Sequence, residues 1–237
     1  MMTSKVKLTK ETIGVLTNFV DINQSIVFRK GNTIKTISNA ENILAEYTCE
    51  EDFPIDFAIY DLGQFLKSLA LFDNPYLEFD SDDYVTIRDR HRSVRYYFSD
   101  PEITLKSAPD KSVNFPDPDL EFTITNDDMV SLRKASMDVL RVPDLTFECA
   151  NGDIRLVVRD RENDTSNNYK QKVNGSCEGN LQLDVKVENL RIIDLNRVLN
   201  KDEPDDSYVF TTRVSNKLIS EWTNEKLNLK YYIALEP

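Results

Sequence analysis

His91 is the only histidine in the chain, so any Ser-His-Asp or Cys-His nucleophilic centre would have to be built on it. It stands between Arg90 and Arg92 beside an expected strand, with no nucleophile elbow or glycine-rich turn nearby. We read it as a surface side chain. The run Asp80-Ser81-Asp82-Asp83 gathers three carboxylates, a set suited to holding a divalent ion for metal-assisted hydrolysis. It also falls where two short strands meet, and aspartate favours turns there. Cys49, Cys149 and Cys177 have no metal-ligand spacing, and their odd number favours reduced thiols. Six glycines leave little room for a phosphate-cradling loop. Tyr96-Tyr97 and Tyr231-Tyr232 offer flat faces for base stacking, but strand alternation sends half of each pair into the core. These residues yield no catalytic, metal or cofactor site. A metal-dependent hydrolase or nuclease using the Asp80–Asp83 carboxylates stands as the alternative function.

The elements that would position such residues follow a repeat. A short amphipathic helix followed by strands and tight turns occurs four times. The first helix-like stretch, Thr9–Val20, superimposes on Asp61–Phe72 with a shift of about 53 residues. Ile13, Leu16 and Phe19 then fall on Leu66, Leu69 and Phe72. In the second half Met129 and Leu132 match Ile192 and Leu195, about 63 residues on. One supersecondary unit reused in this way describes a scaffold, because an enzyme concentrates its unusual residues in one cleft.

At 237 residues and 40% hydrophobic, the chain is long and apolar enough to form two domains with packed cores. No apolar run approaches a membrane span, and the N-terminal stretch has no h-region. The net charge is −12. Dividing the chain at Pro118 gives 13 basic and 19 acidic residues before it and 16 and 22 after it, so each half carries −6. No basic domain exists, and any cationic surface has to arise by segregation. Acids crowd into expected loops: Glu50-Glu51-Asp52, Asp80–Asp83, Asp202-Glu203 and Asp205-Asp206. Others open helices, where they complement the dipole. Lys67, Arg133, Lys134, Arg191 and Arg197 lie further along the helices.

Strands are expected near Lys5–Leu8, Ser25–Arg29, Thr33–Ser38, Ile43–Thr48 and Ile55–Tyr60, with Gly31-Asn32 as a hairpin turn and Thr9 and Asp61 as helix N-caps. Three more follow at Tyr76–Phe79, Tyr84–Arg88 and Ser93–Phe98. The proline-bearing stretch Ser99–Asp119 lacks periodicity and reads as a connector. Beyond it we expect a helix over Asn126–Val139, strands flanking an Asn151-Gly152 turn, a polar loop Arg161–Asn168, strands Tyr169–Val173 and Gln182–Val187, and a last helix Glu188–Leu199. Three final strands run over Tyr208–Thr212, Lys217–Trp222 and Leu227–Leu235. The division is residues 1–100 as an N-terminal domain, 101–119 as connector and 120–237 as a C-terminal domain.

The block FPIDFAIYDLGQFLKSLALFDNPYLEFDSDDYVTIRDR (Phe53–Arg90) resembles the sliding clamps of T-even-type bacteriophages, most closely where IYDL is followed by FL and SLAL. KLTKETIGVLTNFVDIN (Lys7–Asn23) and the ending YYIALEP (Tyr231–Pro237) resemble the same family, and length and element order agree throughout. The resemblance implies an α+β DNA clamp fold: two similar domains, each with two helices packed on antiparallel sheets. It implies a homotrimeric ring that encircles duplex DNA and tethers the replicative DNA polymerase, with a clamp loader as a further partner. The protein would act in the cytoplasm of the infected bacterial host, without catalysis, cofactor or membrane contact. Phosphate contacts would be independent of sequence, and an acidic exterior would leave the lumen as the favourable place for DNA.

Three residue sets follow from this resemblance. Helical-wheel positions turn Ile13, Leu16 and Phe19 toward the sheet and Lys10 and Thr17 away from it. The DNA-facing set is therefore Lys10, Lys67, Arg133, Lys134, Arg191 and Arg197. A subunit interface is expected between Ser93–Phe98 and Tyr169–Val173, through Ser93, Val94, Tyr96, Phe98, Tyr169, Gln171 and Val173. The pocket for partner peptides is expected at Val113 and Phe115 of the connector with Tyr232, Ile233, Ala234 and Leu235.

Overall fold

The computed structural model describes residues 4–101, 106–194, 198 and 208–237. The chain divides into two compact units, with a boundary between Asp110 and Lys111, inside the proline-bearing stretch. In the first, β1 (Ser4–Val6) is followed by α1 (Lys10–Phe19), the strands β2 (Ile26–Phe28), β3 (Gly31–Ile37), β4 (Ile43–Phe53) and β5 (Phe57–Ile59), then α2 (Leu62–Leu69) and the strands β6 (Tyr76–Phe79), β7 (Tyr84–Arg88) and β8 (Ser93–Tyr97). The second repeats this order. It runs through β9 (Leu120–Thr125), α3 (Asn126–Arg133) with a π-helical extension Lys134–Leu140, β10 (Asp144–Ala150), β11 (Asp153–Arg159), β12 (Tyr169–Cys177) and β13 (Leu181–Lys186). Then come α4 (Val187–Leu190), β14 (Val209–Ser215), β15 (Ile219–Asn224) and β16 (Leu229–Ala234). Every named strand pair within a unit is antiparallel.

The first unit stacks two sheets, ordered β1-β6-β7-β8 and β4-β3-β2-β5, and the second unit runs continuously as β13-β10-β11-β12-β9-β14-β15-β16. That continuity depends on β12, which pairs with β11 through Val173 and then with β9 from Asn174 to Cys177. Gly175 permits the crossing. A Cβ there would lie 2.2 Å from the Glu121 carbonyl oxygen and 2.7 Å from the Phe122 Cα, closer than real contacts allow.

Apolar burial fixes both cores. In the first unit Phe28 stacks on Phe57 at 4.5 Å, and Phe53, Phe79 and Phe98 complete the cluster. In the second, Trp222 meets Phe122 edge-on and packs against Phe147. Each such ring contributes about 2–3 kcal/mol of burial free energy as an upper estimate. Of the matched helix positions, Leu16, Phe19, Leu69 and Phe72 are buried, while Ile13 and Leu66 are half-buried.

Several expected boundaries shift for physical reasons. Gly31 (φ 110°) opens β3, so the β2–β3 turn is Arg29-Lys30 instead of Gly31-Asn32. The Asn151-Gly152 turn stands as expected, both residues having positive φ. Regular α-helix in the last helix ends at Leu190; residues 195–197 and 199–207, with Leu195, Asp202-Glu203 and Asp205-Asp206, lie outside the described residues. Glu50-Glu51-Asp52 is not a loop but the end of β4, whose burial alternates from Cys49 inward to Phe53 inward.

Glu51 consequently points into the protein, 7% exposed. Its carboxylate accepts the Thr9 backbone N–H and, at 2.7 Å, the Thr12 hydroxyl, while Thr9 Oγ1 accepts the Thr12 N–H at 3.1 Å. A negative group thus meets the free N–H groups and positive dipole end of α1. Tyr47 lies 3.2 Å from Thr12 Oγ1 and donates to Glu11 at 3.0 Å. Burial pushes the Tyr47 phenol up, and pushes the neighbouring Cys49 thiol up to about 12. Glu51→Ala should cost about 1–3 kcal/mol, since it strands the Thr9 and Thr12 donors; urea unfolding should show near-neutral behaviour for the exposed neighbour Glu50→Ala.

Candidate nucleic-acid and partner interfaces

The first unit presents its cations by helix periodicity. Asp61 caps α2, accepting the Gln64 N–H at 2.7 Å. Leu62, Phe65 and Leu69 then face the core, which leaves Lys67 exposed; Lys10 is exposed at the start of α1. Thr17, expected on the outer side, is half-buried and donates to the Ile13 carbonyl.

In the second unit α3 is opened by a capping box between Thr125 and Asp128. Met129 and Leu132 are buried. Arg133 does not join the exposed set, which corrects the expectation. Its guanidinium donates to the Ile193 carbonyl at 2.8 Å and lies 3.5 Å from Asp194, leaving the side chain 13% exposed. Lys134, one residue on, is exposed, as is Arg191 after α4. Arg197 lies outside the described residues. Lys10, Lys67, Lys134 and Arg191 make no ion pair among the described residues.

The expected interface strands occupy distinct settings. Among the described residues β8 ends its sheet, bonded to β7 on one side only. Phe98 N–H donates to the Asp83 carbonyl at 2.8 Å and Asp89 N–H to the Arg92 carbonyl at 3.1 Å. With Val94 opposite Ile87 and Tyr96 opposite Val85, this alternation turns the backbone groups of Val94, Tyr96 and Phe98 toward β7. Ser93, Arg95 and Tyr97 direct theirs to the open edge. Tyr96 is further committed, edge-on to Phe65 with its hydroxyl donating to the Asp61 carbonyl. The backbone groups that face the open edge are therefore those of Ser93, Arg95 and Tyr97, while those of Val94, Tyr96 and Phe98 are taken up by β7. On β12, Tyr169–Val173 pair with β11. The Gln171 amide donates to Asp128 at 2.6 Å, and Val173 is buried.

Phe115 is half-buried beneath the Arg213 guanidinium, 4.9 Å from its ring centroid, and Val113 is also half-buried. Ile233 leaves the expected pocket: it is 0% exposed, and its carbonyl accepts the Ser220 hydroxyl. Tyr232 and Leu235 are buried, with Ala234 half-buried. The chain end is fastened, since Leu235 N–H donates to the Leu218 carbonyl, Glu236 N–H to the Asp184 carbonyl, and Arg161 lies 3.6 Å from Glu236.

The residues with chemical potential occupy structural roles. His91 is exposed, and its N–H joins that of Arg92 on Asp89. Those backbone donors, with the Arg92 guanidinium, hold the Asp89 carboxyl down at about 2. Asp80–Asp83 form the β6–β7 turn, where Asp83 N–H donates to Ser81 Oγ. Among the described residues no cluster of three or more His, Cys, Asp or Glu side chains could hold a metal ion, and no helix is long and apolar enough to cross a membrane. The cysteine expectation is corrected in part: Cys49 is a buried free thiol, but Cys149 and Cys177 form a disulfide. Spacing alone held no signal for that pair.

The architecture is that of the clamp fold. It is similar to Proliferating Cellular Nuclear Antigen from Entamoeba histolytica, with TM-score 0.71 and 15% identity over 99% of this chain and 98% of that one. It is also similar to the PCNA2-PCNA3 complex from Sulfolobus tokodaii, with TM-score 0.66 and 11% identity over 99% of each chain. The family described as DNA polymerase processivity factor matches residues 7–99. The sliding clamp of Vibrio phage KVP40 is 31% identical over 194 residues, covering 79% of this chain and 86% of the relative. That of Escherichia phage RB69 is 30% identical over 153 residues, 64% of this chain and 65% of the relative. The chain belongs to the sliding clamps, the processivity factors of phage DNA replication.

Proposed function

We propose that three copies of this clamp close into a ring around duplex DNA and hold the replicative DNA polymerase on its template. The observation that carries this reading is the set of exposed helix cations, Lys10, Lys67, Lys134 and Arg191, on a chain of net charge −12. Cations without an ion pair among the described residues attract phosphates without fixing a register, which suits a protein that must slide. An acidic remainder repels DNA from other surfaces. A clamp loader opens the ring, and the protein works without catalysis in the cytoplasm of the infected host. Lys67→Glu combined with Lys134→Glu and Arg191→Glu should lower processive primer extension about tenfold or more, and the deficit should narrow at raised salt, because fewer phosphate contacts give a shallower salt dependence. The matching single alanines should change it little. Full extension by the triple variant would remove these side chains from the DNA path.

Ring closure, on this reading, pairs the open edge of β8 with Tyr169–Val173 of the next copy. Arg95 supplies one of the edge N–H groups, and its guanidinium lies over the Tyr84 ring at 4.4 Å. Arg95→Pro removes both the N–H and the side chain, whereas Arg95→Ala removes only the side chain. Sedimentation over a dilution series should show the proline variant dissociating to monomer while the alanine variant stays trimeric. Equal behaviour of the two variants would exclude this edge.

Partner peptides are proposed to dock beside the connector, against Val113 and Phe115 with Tyr232, Ala234 and Leu235 behind them. Val113→Glu places a charge on a half-buried apolar site. Polymerase stimulation should fall while the ring still forms. Unchanged stimulation would place the peptide site elsewhere.

A further inference from the structure

The three cysteines occupy two kinds of surroundings. Cys49 is buried within β4 and has no sulfur partner. Cys149, the penultimate residue of β10, and Cys177, the last of β12, have Cα atoms 6.2 Å apart, within disulfide range. They belong to strands that are not neighbours in the sheet, because β11 lies between them. They meet because β11 begins only at Asp153, after the Asn151-Gly152 turn, while β12 runs on past Val173 to join β9. Cys149 is 2% exposed and Cys177 is half-buried, so an external reagent reaches the pair through Cys177. The bond encloses β11, the polar loop after it and the whole of β12, across a separation of 28 residues.

We propose that Cys149 and Cys177 form a reversible dithiol–disulfide site, responsive to small thiols and disulfides such as the glutathione couple, that sets how firmly the end of β12 is held. The Cys177 thiolate attacks one sulfur of glutathione disulfide, forming a mixed disulfide and releasing one glutathione thiolate. Cys149, having given up its proton, attacks the Cys177 sulfur, closes the bond and releases the second glutathione thiolate. Two thiols lose two electrons, glutathione disulfide gains them, and the two protons end on the released thiolates. In a compartment kept reducing by thiols, disulfides that form are transient and regulatory.

The site has a direct mechanical consequence. In the dithiol form, Asn174–Cys177 keep their backbone pairing with β9, closely approached at Gly175, without a covalent tie. In the disulfide form the strand end is also tied to β10. The first half of the same strand, Tyr169–Val173, is the edge assigned above to ring closure, so this part of the inference rests on that reading. Oxidation then stiffens the strand on which a neighbouring copy docks.

The full-length protein is equilibrated in glutathione buffers from reducing to oxidising, quenched with N-ethylmaleimide, and analysed by peptide mass spectrometry, melting and sedimentation. The expected result is a single disulfide linking the Cys149 and Cys177 peptides, formed and lost reversibly, with Cys49 unlabelled until denaturation. Closing a loop of this size should raise the melting temperature by about 5–10 °C. The C149A/C177A variant should melt like the reduced protein in both buffers, and the reduced ring should dissociate at about tenfold higher concentration than the oxidised one. Free thiols at both positions in oxidising buffer, or identical melting of the two forms, would overturn the site; the wild-type measurement stands even if the variant folds poorly. A disulfide that raises melting in a protein that never self-associates would support the redox site and sink the ring reading instead. Equal self-association of the two forms would overturn the coupling.

Discussion

Backbone hydrogen bonding between antiparallel strands is the constraint on which most of this molecule depends. Every strand side left unpaired presents N–H and C=O groups that demand either water or another strand. In the first unit, β8 ends its sheet with one side open among the described residues. In the second, β12 turns from β11 to β9 and keeps the sheet continuous. Pairing register, more than side-chain chemistry, decides which residues face outward. At β8 it separates Ser93, Arg95 and Tyr97 from Val94 and Tyr96, although all five belong to one short exposed-looking run.

Electrostatics works within this frame. A protein with 41 acidic and 29 basic residues can bind a polyanion only where cations are spared internal pairing. Several cations are so used: Arg133 on Asp194, Lys186 on the buried Asp144 at 2.7 Å, and Arg159 and Arg161 beside Asp184. Burying Asp144 without Lys186 would leave an uncompensated charge, so that pair belongs to the fold. Lys10, Lys67, Lys134 and Arg191 carry no such duty among the described residues.

Much of the fold was legible in sequence because its signals are local. Thr9 and Asp61 announced helix starts through capping chemistry, Asn151-Gly152 announced a hairpin, and the repeated helix pattern announced two similar units. What stayed hidden depends on tertiary partners. Glu51 looked like a loop acid because its charge masked the alternation of β4, and only α1 lying above it makes an inward carboxylate tolerable. Arg133 and Lys134 are adjacent, yet the rotation of about 100° between successive helical residues turns one toward Asp194 and the other to solvent. Cys149 and Cys177 meet only because β12 overruns its neighbour, which no spacing rule records. Ile233 needed the β15 register before its apolar side chain could be assigned to the core.

Trp222 has a consequence of an optical kind. It is the only tryptophan in the chain and is fully buried between Phe122 and Phe147. Its emission therefore reports on the second unit alone, while the first unit, built around phenylalanines and Tyr47, is dark at the red edge of the absorption band. Fluorescence excited there would follow half of the molecule. Agreement or divergence between that signal and circular dichroism, which sees both halves, would measure whether the two units melt as one cooperative body or as two.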